Sequence, residues 1–358
     1  METNLQAADH QPTLNAMRGL ACVLLVSYHV VGNNAEVGLQ LDYPHALRLF
    51  ADFLIDARMP MFAFIGGFVY ALRPVAGDGF LTFLSKKAHR IIVPGSIAIA
   101  AFALFSILFK SSFSVSLVDF WRPLMFPYAH FWYLQAIFLV MAIFALIDSW
   151  MGNRRTLWLV LPLLLLYLSD LKLAENANLF SANQAIYLSV FFLAGVLVQR
   201  AARWLDRYQR SVLFLSAAIL TASAIWSVDF YLENGRFLSE RRDVQSLSFG
   251  VSLCVFLYYA NLKSRLFQYI GTFSFTIYLY HIFGTSGSRR LLEAFDVQHA
   301  YWLLPAGLVV GIVLPILLHK VVMMFPPLAG RIILGVRSNR ASTSWNFSWR
   351  LPIVTSRT

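Results

Sequence analysis

The sequence predicts an all-α, polytopic integral membrane protein with about ten transmembrane helices and cytoplasmic N- and C-termini. Three observations predict it. The chain of 358 residues is 58% hydrophobic and only 13% charged, with mean hydropathy +0.63, whereas soluble domains are nearer a quarter charged. Apolar runs of bilayer-crossing length recur along the chain, separated by short polar gaps. Lysine and arginine fall unevenly among those gaps, as they do between the two sides of a membrane.

The runs cover approximately residues 14–32, 46–72, 90–109, 129–149, 155–171, 184–200, 211–231, 244–261, 267–286 and 301–324. The first holds "MRGLACVLLVSYHV". Glu2 and Asp9 precede it, and a secretory signal would want a positive start and a small-residue cleavage site, so a retained helix is expected. The second reads "RLFADFLIDARMPMFAFIGGFVYAL", where Pro60 and Gly66-Gly67 allow a bend or a close helix approach. The third follows "KKAHRIIVP", and the fourth opens on "HFWYL". The fifth to eighth are apolar runs between basic gaps, the ninth carries "IGTFSFTIYLYHIF", and the tenth closes the series.

With the N-terminus inside, the inner side collects 18 basic residues and the outer loops 8. The inner set is Arg73, Lys86, Lys87, Arg90, Arg154, Arg155, Arg200, Arg203, Arg207, Arg210, Lys263, Arg265, Lys320, Arg331, Arg337, Arg340, Arg350 and Arg357. The outer set is Lys110, Arg122, Lys172, Arg236, Arg241, Arg242, Arg289 and Arg290. Adding or removing one span would scramble that asymmetry. Residues 1–325 are expected to form a single membrane domain, without the internal repeat of a rocking-bundle transporter. Residues 326–358 are expected to be a basic cytoplasmic tail, partly disordered or lying on anionic lipid.

The net charge of +11 is accounted for by this loop bias, and no basic helix with interleaved aromatics suggests nucleic acid. Cys22 and Cys254 fall inside apolar runs and are expected to be small buried hydrophobes rather than a disulfide. Neither their spacing nor their neighbours suggest a metal.

Ionisable groups within membrane spans are costly and mark functional candidates. Arg18 and His29 are eleven residues apart, which is three helical turns plus about 20°, with a rise of about 16 Å. One face of the first helix thus offers a permanent cation at the inner end and a titratable base deeper in. Arginine suits phosphate, and a neutral imidazole suits proton abstraction. A long ligand with phosphates at the inner surface and a reactive end within the membrane, such as an acyl-coenzyme A, fits that layout. The alternatives are an interfacial anchor for Arg18 and a structural hydrogen bond for His29.

Lys86, Lys87 and Arg90 crowd the start of the third run and could share the phosphates with Arg18, or could simply follow the inner-side charge bias. Asp52 and Asp56 lie four residues apart on one face of the second run, at the depth of His29. Either could orient the histidine or bind an acceptor hydroxyl, and Arg58 could neutralise one of them as a structural pair.

Taken together, five stretches resemble the membrane acyltransferase family 3. They are "LNAMRGLACVLLVSYHV", "RMPMFAFIGGFVYA", "FLSKKAHRIIVP", "HFWYL" and "IGTFSFTIYLYHIF". Members are multi-span proteins that move acyl groups, commonly acetyl, onto hydroxyl-bearing acceptors such as O-antigen and exopolysaccharide. The resemblance implies Arg18 as donor ligand and His29 as general base, or as a transiently acylated nucleophile. It implies Lys86, Lys87 and Arg90 as donor-binding residues. His130, Trp132, Ser274, Tyr278 and His281 fall on matched positions and are expected along the substrate path, with Asp52 and Asp56. Ser274 and Tyr278 could equally be hydrogen-bonding glue between helices. Three positions depart from the pattern: Gly66 stands for a usual serine, Phe275 for a common tyrosine, and Lys86 and Lys87 for arginines.

The activity so implied is O-acylation in the cell inner membrane. Acyl-CoA is the co-substrate, a glycan or other hydroxyl compound the acceptor, and no cofactor is permanently bound. A proton-coupled transporter with intramembrane His and Asp, or a scaffold without activity, are the other readings.

Overall fold

A computed structural model describes residues 2–34, 36–75, 77–109, 111–151, 157–169, 171–237 and 242–336, with backbone alone at 2–10 and 151. Among the described residues the regular structure is entirely helical. The first expected span is α1 (Glu2–Val31). The second is two helices, α2 (Ala46–Phe53) and α3 (Ile55–Leu72). The break is at Leu54 (φ −95°, ψ 17°), and Pro60 is carried inside α3. The turn at Leu54 lets Arg48 of α2 reach the carbonyls of Gly32 (2.8 Å) and Asn33 (3.1 Å), just past the end of α1.

The third expected span begins earlier than residue 90. α4 (Phe80–Lys87) runs into α5 (Val93–Leu108) through a π-turn at Ala88–Ile92. Pro94 has no N–H to return to the preceding turn, and the widened turn just ahead of it absorbs the missing bond. α6 (Arg122–Met125) is a single turn ahead of α7 (Trp132–Met151). There follow α8 (Val160–Leu168), α9 (Ala182–Arg200), α10 (Ala202–Arg207), α11 (Gln209–Asn234), α12 (Val244–Tyr259), α13 (Arg265–Thr272), α14 (Ser274–Ala294), α15 (Ala300–Val322) and α16 (Pro327–Leu334). Side-chain oxygens mark two starts, as N-caps should: Asp243 accepts from the Ser246 amide at 2.7 Å, and Ser264 from the Phe267 amide at 3.3 Å.

Among the described residues, seven stretches are long and apolar enough to cross a membrane: Gln11–Val31, Ala46–Leu72, Gly77–Leu108, Trp132–Trp150, Leu179–Arg200, Gln209–Asn234 and Ala300–Val322. The described residues of the other three expected spans are also largely helical. Leu157–Leu168 and Val244–Tyr259 are apolar but short. α14 has the length, 21 residues, but carries Thr276, His281, Thr285, Ser288, Arg289 and Arg290.

Packing puts α1 at the centre, against α3, α13, α14 and α15. Several crossings depend on glycine, two of them reciprocally. A Cβ on Gly67 would lie 1.9 Å from the Phe192 carbonyl oxygen, and one on Gly195 would lie 2.0 Å from that of Phe64, so α3 and α9 touch backbone to backbone. Gly19 and Gly271 make the same reciprocal approach between α1 and α13, each at 1.9 Å. Small residues at such crossings permit the close packing that replaces a hydrophobic driving force in lipid. α11 is the opposite case. Phe214, Leu215, Ile225, Trp226 and Leu232 stand exposed on it, as expected of a helix whose outer surface meets acyl chains.

The expected tail starts as packed structure. Leu334 of α16 is buried, the Tyr280 hydroxyl donates to the Ile333 carbonyl at 2.9 Å, and Gly335 (φ +64°) sits against the Arg90 carbonyl. The sequence "LAGRIIL" places apolar residues where a short helix can bury one side on α5. Arg337, Arg340, Arg350 and Arg357 of the tail, and Lys110, Arg154, Arg155 and Arg241 of the loops, lie outside the described residues.

Candidate active site

Three histidines from three distant parts of the chain meet beside α1. His29 is on α1, His281 on α14, and His130 just precedes α7. Ring centroids are 4.9 Å apart for His29–His281, 4.9 Å for His130–His281 and 5.7 Å for His29–His130. α14 presents Tyr278, His281, Thr285 and Ser288 on one buried side. Their spacing of three and four residues makes a helical stripe.

Hydrogen bonds suggest how the imidazoles are oriented. His281 Nδ1 lies 2.9 Å from the Ile277 carbonyl and 3.0 Å from that of Tyr278. A carbonyl only accepts, so Nδ1 carries the proton and Nε2 the lone pair. That lone pair lies 3.3 Å from His29 Nδ1, which is also 2.9 Å from the Leu25 carbonyl. Both neighbours of His29 Nδ1 are therefore acceptors. This assignment, inferred from the network, puts the His29 proton on Nδ1 and the basic lone pair on Nε2. His130 Nε2 is buried without a hydrogen-bond partner among the described residues.

Two cavities adjoin α1, with Tyr278 in the wall of both. The larger, about 280 Å³, is lined by His29, His130, Trp132, Tyr28, Arg58, Arg289 and Arg290 among others. The smaller, about 160 Å³, is lined by Arg18, Gly66, Tyr133, Ser274, Phe275 and apolar side chains. The Tyr278 hydroxyl donates to the His130 carbonyl, and its ring lies 5.4 Å from that of Tyr133, so the partition is itself pinned. Arg18 is steadied by Asn15 Oδ1 at 2.9 Å, and Arg90 is near enough for its charge to act on it.

The expected site residues divide. Arg18, Ser274 and Tyr278 line the smaller cavity, and His29, His130, Trp132 and Tyr278 the larger. His281 is behind His29 and fully buried. Lys86 and Arg90 are exposed and Lys87 half-buried, with the Lys87 ammonium 5.3 Å from the Phe83 ring centre. None of the three lines either cavity.

The two aspartates line neither cavity. Asp52 is bound by Arg48, at 2.7 and 2.5 Å, and by the Tyr43 hydroxyl at 2.5 Å. Burial and the bond to Asp52 push the Tyr43 hydroxyl up to about 12, so it stays protonated and donating at neutral pH. Asp56 accepts from Ser246 at 2.9 Å and Tyr187 at 3.4 Å. The Asp56 carboxylate ties α3 to α9 and α12, whereas that of Asp52 is held within α2 and the turn before it. The partner of Asp52 is Arg48, four residues back on the same short helix, and not Arg58. Arg58 instead lies over the Tyr28 ring, 3.4 Å from its centre.

Sequence reasoning missed Arg58, Arg289 and Arg290 as cavity residues. The signal available was the polar stripe of α14, which continues through Thr285 and Ser288 to the arginine pair instead of ending at His281.

The chain belongs to acyltransferase family 3: the family's model, described as an acyltransferase domain, matches residues 11–320. No curated protein and no solved structure matches the chain. The match gives the transporter reading no support. A multi-pass membrane acyltransferase follows from the family and the apolar helices together.

Proposed function

We propose that this member of acyltransferase family 3 transfers an acyl group, acetyl foremost, from acyl-CoA to a hydroxyl of a carbohydrate or lipid-linked glycan. It would work in the cell inner membrane, with about ten spans and cytoplasmic termini. The observation that carries the reading is the arrangement of His29. Its Nδ1 is held between two acceptors, its Nε2 is the basic atom, and its ring lines the larger of two cavities that share one wall.

In this mechanism the donor enters on the Arg18 side, its phosphates met by Arg18 and by the cluster of Lys86, Lys87 and Arg90. The thioester reaches past Tyr278. The acceptor occupies the larger cavity. His29 Nε2 takes the proton from the acceptor hydroxyl as the oxygen attacks the thioester carbonyl. The tetrahedral intermediate collapses, the carbon–sulfur bond breaks, and the departing thiolate takes up the proton that His29 received. The products are an ester and free CoA. His281 acts through His29 as a positioning residue: its lone pair faces the His29 N–H and favours the imidazolium formed in the transition state, as an orienting partner does in acyl-transfer triads.

The test is purified full-length protein in lipid nanodiscs given acetyl-CoA and a hydroxyl acceptor. Release of CoA with stoichiometric acetylated product is expected. Movement of acceptor across the bilayer without acetylation would sink the reading.

A further inference from the structure

The larger cavity is unusual in its charge. Its described lining contains three arginines, Arg58, Arg289 and Arg290, and no carboxylate. Arg289 and Arg290 are half-buried, and a cation partly withdrawn from water is stabilised when something negative offsets it. Arg289 is partly offset, since its Nη1 donates to the Gly38 carbonyl and its Nε lies 3.7 Å from Glu293. Arg290 has no hydrogen bond or ion pair among the described residues. Its guanidinium carbon is 4.4 Å from the Phe109 ring centre and 5.9 Å from that of Phe105. Aromatic rings of this kind hold a guanidinium by its face and leave its N–H edges for a ligand. Ser111, Ser112 and Ser286 add hydroxyls to the same wall.

Building on the acyltransferase reading, we propose that the acceptor carries an anionic group, a phosphate or a carboxylate, close to the hydroxyl that is acylated, and that Arg290 binds it. The anion and the reacting hydroxyl must be close because Arg290 and His29 line one cavity of about 280 Å³. That is near the lower end of the roughly 300–1,000 Å³ usual for ligand sites, enough for one charged sugar unit. The arginines would raise the local concentration of an anionic acceptor. Arg290 would also discriminate against a neutral one, which leaves its guanidinium edges unmatched.

The experiment compares glucose, glucuronate and glucose 1-phosphate as acceptors for the full-length protein in nanodiscs, with acetyl-CoA as donor and products read by mass spectrometry. At least one charged acceptor is expected to exceed glucose in kcat/KM by about tenfold. Which one does so separates a phosphate from a carboxylate ligand. Arg290→Gln is expected to raise the KM for that acceptor about tenfold without moving the KM for acetyl-CoA, and Arg290→Lys to restore part of the loss. Equal use of all three acceptors overturns the proposal. So does a rise in the acetyl-CoA KM instead, which would make Arg290 a donor ligand.

Titration with inorganic phosphate at constant ionic strength gives a readout independent of turnover. It is expected to raise the unfolding temperature of the wild type, with about tenfold weaker apparent binding in Arg290→Gln. No such shift in the wild type overturns the anion site. A shift without acetylation of any acceptor supports the anion site and removes the acyltransferase reading.

Discussion

The cavity at Arg18 and the cavity at His29 share Tyr278 as a wall and differ in almost everything else. The first is the smaller, and besides its one arginine its walls are mainly Phe62, Ile65, Ile91, Leu134, Ile137 and Met141. The second holds two histidines, three arginines and several hydroxyls. Polar groups at membrane depth are expensive wherever they stand. Concentrating them on one side of Tyr278 is what a site needs if chemistry and acceptor recognition occur there, while the other side needs only a narrow, apolar passage and a single cation.

The largest test of that contrast is His29→Ala. It is expected to lower kcat by at least about a hundredfold, the usual worth of a general base, with the protein still folded in detergent by thermal unfolding. Activity within tenfold of wild type would move the chemistry elsewhere. Arg18→Ala belongs to the other cavity. It is expected to raise the acyl-CoA KM about tenfold and leave the acceptor KM unmoved. An effect on expression alone would make Arg18 an interfacial anchor.

Asp52→Asn bears on neither cavity. It removes the charge facing the buried Arg48, so a loss of roughly 3 kcal/mol in unfolding stability is expected, with both KM values within twofold of wild type. The smallest effect is expected from Gly66→Ser, which replaces this chain's departure from the family pattern. A Cβ there would meet the Met141 methyl at 3.5 Å and the Phe192 ring at 3.7 Å, both ordinary contacts. Steady-state kinetics should show the donor KM changing by less than about threefold. The adjacent Gly67 has no such freedom, with the Phe192 carbonyl 1.9 Å from where its Cβ would be.

Most helices were readable because hydropathy and period are local properties. All ten expected apolar runs fall on helices, although α14 is too polar and two others too short to qualify as spans by composition. Boundaries read less well. The break at Leu54 is a backbone event with no strong residue signature, Pro60 is carried inside α3 without a break, and the π-turn at Ala88–Ile92 is marked only by the Pro94 that follows it. Part of the cavity lining was also readable. Arg18, His29 and His281 declare themselves by their cost in an apolar run, and Tyr278 only by the family resemblance. The aspartates were equally conspicuous and lie elsewhere, because an ionisable residue in a span announces that it has a partner without naming which one. For Asp52 the partners include the nearby Arg48, and for Asp56 they include Ser246, 190 residues away, and Tyr187, 131 residues away.

By itself the sequence determined that this chain lives in a membrane as packed helices, and that one face of the first helix carries a cation and a base three turns apart. Those follow from side-chain transfer energies and from the helical repeat, which act over a few residues. Only the tertiary structure decided that His281, 252 residues away, stands behind His29, that Tyr278 divides the space between Arg18 and His29 into two cavities, and that Arg289 and Arg290 line the same cavity as His29. These depend on which helix faces meet, set by close glycine crossings and by mutual burial of polar groups, and no local pattern encodes that choice.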